Sequence, residues 1–157
     1  MAIVAGILGR LDRMAMADRD ASEVSGQVGD ALGESVSPEM LLRDLDGSGL
    51  TPYDLLESGE QVHYILRGNS SSGWGTNLTL VTDERILIIS DHMTGHNGTS
   101  VNYDSVRSIM TKEGIFTRQL SIYTDSTAFH VSTSNTETGQ GRLAAQYVRE
   151  QAGLAKE

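Results

Sequence analysis

Between residues 60 and 134 the chain is cut into short segments of period two, and this constrains its fold more than any other feature. "EQVHYILR" alternates Val62, Tyr64 and Leu66 with polar neighbours, and "TNLTLVTD" does the same with Leu78 and Leu80. "RILIIS" is apolar on both faces. Further strands are expected at about 99–102, in "VRSIMTKE", in "RQLSIYTD" and in "AFHVSTS". Clusters of Gly, Ser, Asn and Asp separate the segments, as tight connections between antiparallel strands require. Seven short strands joined this way favour a small barrel or sandwich over a parallel sheet. The segment at about 137–152 then places Leu143, Ala144, Tyr147, Val148 and Gln151 on one stripe, which predicts a single amphipathic helix after the strands.

Residues 1–50 read differently, as a helical extension ahead of a domain at 51–157. Ile3, Ile7, Leu11 and Met14 recur at spacings of three and four, giving one apolar face to a helix of roughly 15 residues. Such a face needs a cover, which can be the domain's own sheet, a second subunit or a membrane surface. Residues 20–36 hold three glycines and form a weak helix or linker. Ser37-Pro38 starts a short helix through Leu45, and Thr51-Pro52 starts another, with Asp54 placed for a capping box and Gly59 as the stop.

The chain carries 21 acidic and 12 basic residues, and only Lys112 and Lys156 are lysines. An acidic, lysine-poor surface rich in Gly, Ser and Thr suits a salt-loaded cytosol, where the Debye length falls to about 3 Å. Nucleic acid is not an expected partner, because phosphate contacts weaken with salt and the net charge of −9 already repels them. With no cysteine there is no disulfide framework and no thiolate chemistry. The opening "MAIVAGILGRLDRM" lacks a basic region before its apolar residues and is too short to span a bilayer, so a cytoplasmic address is expected. Three N-x-S/T sequons, at Asn69, Asn77 and Asn97, are accounted for by the abundance of Ser and Thr.

Several constellations resemble sites. In "DLDGSG", Asp44, Asp46 and Ser48 fall on positions 1, 3 and 5 of an EF-hand loop, but the twelfth position, which needs a bidentate carboxylate, is Leu55, and Thr51 is already assigned as a cap. A turn between two helices accounts for these residues, and a calcium-responsive regulator is kept as an alternative. His92 and His96 stand four apart, the zinc spacing on a helix, but within a segment that reads as a loop. Ser70 and Ser71 lack the flanking glycines of a nucleophile elbow, and "TGQGR" is too short for a dinucleotide fingerprint. No cofactor and no catalytic residue is expected.

"LLESGEQVHYILRG", "LTLVTDERILIIS", "VNYDSVRSI" and "LSIYTDSTAFHVS", in that order ahead of a terminal helix, resemble the bacterial-type pleckstrin-homology (PH-like) domains of the short YokE-like group. The matching elements are Leu56, Gly59, Glu60 and Val62, the hairpin from Leu80 to Leu87, and the step from Tyr103 to Ile109. The resemblance covers about residues 55–152 and implies an α+β fold: a partly open, seven-stranded antiparallel barrel capped by the C-terminal helix. It also implies an interaction module. By its own chemistry, Arg85, leading a strand that reads as buried on both faces, can satisfy nearby carbonyls or a carboxylate. PH-like domains bind phosphoinositides, peptides or proteins, and bacterial relatives tend towards homo-oligomers. A phosphoinositide is not expected here, because "RGNSSSGWGTN" carries only Arg67. The candidate interaction surface is Trp74 with Arg67 and Met93 at one rim, joined in an oligomer by Ile7 and Leu11 of the first helix. The expected function is protein contact, with self-association, and the alternative is a peripheral membrane adaptor using the N-terminal helix.

Overall fold

The computed structural model describes residues 38–42, 51–69, 76–92, 95–114, 118–134, 136 and 139–154. Ile7, Leu11, Asp44, Asp46, Ser48, Trp74 and Met93 lie outside the described residues, as does the expected first helix.

Seven antiparallel strands form two sheets. The first has the order β1 (Val62–Asn69), β2 (Thr76–Thr82), β3 (Arg85–His92) and β4 (Gly95–Asn102). The second has the order β5 (Val106–Glu113), β6 (Arg118–Thr124) and β7 (Ala128–Ser132). A 3₁₀ turn, Tyr103–Ser105, joins the sheets, and a terminal helix, Gln140–Gln151, packs on β5, β1 and β6. The sheets do not close into a continuous barrel, in agreement with the partly open cup expected from the sequence.

The inner core is the space between sheets and helix. Leu66, Val81, Ile86, Ile88, Val101, Ile109, Leu120, Ile122 and Val131 fill it, and Ala144, Ala145 and Val148 close it from the helix. Alternation then sends Leu78, Leu80, Leu87 and Ile89 to the other side of the first sheet, where they form a second core. Leu41, Leu42, Tyr53, Leu55 and Leu56 cover that side. They come from the short helix Pro38–Leu41 and the 3₁₀ turn Pro52–Leu55, so "RILIIS" is indeed buried on both faces. The capping box forms as expected, with the Thr51 backbone N–H donating to Asp54 Oδ2 at 2.9 Å, and the Asp54 N–H also reaches the Thr51 carbonyl at 3.0 Å, closing the 3₁₀ turn. Gly59, at φ 82°, makes the turn that brings Glu60 to the first strand.

Three expectations need correction. The strand expected at 99–102 begins at Gly95, and β3 runs to His92, so His92 pairs with Gly95, and His92, Gly95 and His96 lie in strands where the sequence read a loop. The pairing partner of His96 is Asp91. The helix stripe is rotated: Leu143 is 47% exposed and Gln151 is exposed, whereas Ala145 is buried. Alanines at 144 and 145 let the helix axis approach the sheets closely, and this outweighs the larger area Leu143 would bury. Finally, β1 extends to Asn69, which puts Arg67 in the strand, opposite Leu78, and not in the following loop.

Candidate functional site

The motif residues scattered along the chain meet at one corner of the first sheet. Glu60 has no exposed side-chain surface and receives Arg85 in a two-pronged contact, Nε to Oε2 and Nη2 to Oε1, each 3.0 Å. Arg85 Nη2 also donates to the Leu55 carbonyl at 2.9 Å, and Nη1 to Ser100 Oγ at 3.3 Å. The guanidinium therefore satisfies both a carboxylate and a carbonyl, as its place at the head of a buried strand suggested. Thr82 Oγ1 lies 2.6 Å from Glu60 Oε2 and accepts the backbone N–H groups of Glu84 and Arg85, closing the β2–β3 turn. The Glu57 N–H donates to Glu60 Oε1 at 3.0 Å. Asp83 holds Gln61 from both sides, accepting its N–H at 2.8 Å and donating its own N–H to its carbonyl at 2.9 Å. The Tyr103 hydroxyl donates to the carbonyl of Thr82 and lies 3.2 Å from that of Arg85.

Electrostatics follows from these contacts. Burial by itself would raise the Glu60 carboxyl, but hydrogen bonds from Arg85, Thr82 and the Glu57 backbone, with the Arg85 charge, outweigh it and hold the group below its ordinary value. The Glu60 hydrogen bond raises Arg85 in turn. Burial pushes the Tyr103 phenol far up, so it remains a donor. Exposed Glu84 moves the opposite way to Glu60, raised by partial desolvation and by the charges of Glu60, Glu57 and Asp83. The corner is a set of mutually engaged donors and acceptors.

A second cluster gathers on the helix. The strand register slips between Val62 and Tyr64, a bulge that turns two consecutive rings, His63 and Tyr64, towards Tyr147 at centroid distances of 4.8 and 5.9 Å. Tyr103 meets the same ring edge-on at 6.5 Å. Elsewhere, Ser121 Oγ is 2.8 Å from His130 Nδ1, across directly paired positions of β6 and β7. Among the described residues no carboxylate bonds that imidazole, and Tyr123 stands edge-on to it, so the pair is a cross-strand hydrogen bond. Among the described residues no three acidic or imidazole groups are grouped to hold a metal.

At the far end of β1, the Arg67 N–H donates to Thr136 Oγ1 at 2.7 Å and the same hydroxyl donates to the Arg67 carbonyl at 3.1 Å. Arg67 Nε is enclosed and, among the described residues, without a hydrogen-bond partner. Of the residues the sequence assigned to an interaction surface, Arg67 is the one that the described structure contains. The connections β1–β2 and β3–β4 leave the first sheet at the same end. Glu60 and Thr136 were missed as working residues. Glu60 had a signal, a fixed acid two residues before a strand and set against an arginine heading another; Thr136 had none.

Two antiparallel sheets of four and three strands with a terminal helix packed on them form a pleckstrin-homology fold, a class whose members mediate protein or lipid interactions. The chain belongs to the bacterial PH domain family, whose model matches residues 56–150. Two solved structures are similar at low identity. One is a DUF1696 family protein with a pleckstrin-homology domain from Shewanella loihica PV-4, 10% identical over 85% of this chain and 98% of that chain, TM-score 0.43. The other is the Vps36 N-terminal PH domain, 17% identical over 70% of this chain and 89% of that chain, TM-score 0.45. No curated protein sequence matches the chain. Among the described residues no helix is long and apolar enough to cross a membrane.

Proposed function

We propose that the protein is a non-catalytic interaction module of the cytoplasm that acts through protein contacts and associates with copies of itself. The observation that supports this reading is that, among the described residues, buried Glu60 and Tyr103 and half-buried Arg85 are all engaged in holding the β2–β3 turn. Family membership narrows the ligand to protein or lipid, and charge favours protein. Arg67 is the one Lys or Arg between Gln61 and Glu84, and its Nε is enclosed. An anionic headgroup would meet a chain of net charge −9 with no basic cradle in that hairpin.

Light scattering of the full chain over a concentration series, at low and at high salt, tests the reading. A mass above that of one chain is expected, and a single-chain mass throughout would remove self-association. Liposome flotation should leave the protein in the soluble fraction; flotation lost on Ile7→Asp would favour a peripheral membrane adaptor instead. Calcium titration should give no heat, and heat abolished by Asp44→Ala would favour a calcium-responsive regulator.

A further inference from the structure

Charge is unevenly divided along the chain. Residues 1–105 hold 16 acidic and six basic residues, whereas residues 106–157, which build the second sheet and the terminal helix, hold five acidic and six basic. Two of those cations are engaged within the sheet. Arg107 grips Asp125 in a two-pronged contact, Nε to Oδ1 and Nη2 to Oδ2, each 2.9 Å, and Arg118 Nη1 donates to the Thr136 carbonyl at 3.1 Å. Three more line the outer edge of β5, where the helix lies alongside. Arg149 Nη2 donates to the Ile109 carbonyl at 2.9 Å, and Arg142, its side chain 75% exposed, comes no nearer than 3.6 Å to Glu113. Lys112 is exposed and makes no ion pair among the described residues. Large apolar side chains are exposed at the same place: Met110, 56% exposed, stands on the outer side of β5, and Leu143, 47% exposed, stands on the helix beside Arg142. Exposed carbon set among cations is a surface that an acidic, partly apolar segment complements.

The chain itself contains such a segment. "DASEVSGQVGDALGESV", residues 20–36, carries Asp20, Glu23, Asp30 and Glu34 with no Lys or Arg, and its Val24, Val28, Leu32 and Val36 recur four apart. It leads into the short helix Pro38–Leu41, and Leu41 packs in one cluster with Val62. The next residue, His63, lies against Tyr147 of the terminal helix at a centroid distance of 4.8 Å. The segment therefore joins the fold within two side-chain contacts of that helix. Its 17 residues can span up to roughly 60 Å, and the 12-residue helix is about 18 Å long, so reach is ample.

We propose that residues 20–36 dock along the β5 edge and the terminal helix of their own chain, with their carboxylates facing Lys112, Arg142 and Arg149 and their apolar residues covering Met110 and Leu143. Charge and tethering select this occupant. Two copies of net charge −9 repel, which opposes a second chain on this surface. A segment already attached to the fold meets the surface at an effective concentration of about millimolar, so exposed ion pairs that are weak one by one suffice to hold it. The docking does not depend on self-association and would hold in a single chain.

The chain has no cysteine, so Ser25→Cys in the full-length protein gives a single site for a nitroxide label, read by paramagnetic broadening of amide resonances. With labelled chains diluted among unlabelled ones, broadening is expected at residues 109–113 and 142–146 and not at 98–100 of β4. Lys112→Glu/Arg142→Glu, both at exposed side chains, should remove more than half of it, and adding Glu23→Lys/Asp30→Lys should bring it back. Absence of broadening along the β5 edge overturns the proposal, as does broadening that the charge reversal leaves intact or that the charge swap fails to restore. Broadening passed from a labelled chain to an isotope-enriched, nitroxide-free chain also overturns it; that result assigns the surface to a second copy and supports self-association instead.

Discussion

Glu60 and Arg85 show how a single buried pair sets the character of a corner. Removing one partner strands the other away from water, so Arg85→Ala should destabilise by about 3–5 kcal/mol and lower the melting temperature by on the order of 10 °C. Arg85→Lys keeps the charge but loses the fork, and should fall between. Replacing both, as Glu60→Met/Arg85→Met, should recover much of the loss in urea denaturation, because no uncompensated charge remains. The pair also has a pH signature. The folded-state value of Glu60 is depressed below 4.5, so its contribution is complete above that value and is lost as pH falls through the lower, folded one. Denaturation midpoints should therefore decline below about pH 4.5, and Glu60→Gln should flatten that limb. This residue-level chemistry was half legible in the sequence. A lone arginine at the head of a strand buried on both sides demands a partner, but which acid supplies it depends on a turn at Gly59 that folds a distant segment back, and propensity carries no such address.

At the scale of elements, the places where strands touch matter most. Gly68 sits where β1 crosses β7, and Gly68→Ala must push the Ser132 backbone aside or fail to pack; a loss of about 1–3 kcal/mol is expected in thermal or urea unfolding. Thr136→Ala should cost about 1–2 kcal/mol by leaving the Arg67 N–H and carbonyl without partners, and Thr136→Ser should restore most of it. The strands themselves were readable because their period of two is imposed by burial on one side, and six of the seven sit close to their expected positions. The exception, β4, carries small polar residues with little to bury, so its first half gave no periodic signal. The helix stripe misled for a related reason. Periodicity identifies a face but weights it by side-chain size, and here closeness to the sheets favoured alanine.

At the scale of the whole molecule, Leu41, Leu42, Tyr53, Leu55 and Leu56 belong to the packed core as much as the strands they cover do. Leu41 is fully buried against the outer side of the first sheet, and Leu41→Ala should cost about 2–5 kcal/mol. A chain begun at residue 51, where the sequence places the domain boundary, lacks Leu41 and should melt lower than one begun at Pro38, as calorimetry of the two can establish. Heat stability should also rise with sodium chloride, since screening relieves the mutual repulsion of a chain carrying nine excess negative charges. Sheathing on both sides has a temporal corollary. Solvent deuterium must penetrate either an inner wall or an outer coat to reach the middle of β2 and β3, whereas the second sheet is insulated on one flank. The slowest clock in the protein should therefore tick at the amides of Leu80, Val81, Leu87 and Ile88, whatever binds elsewhere.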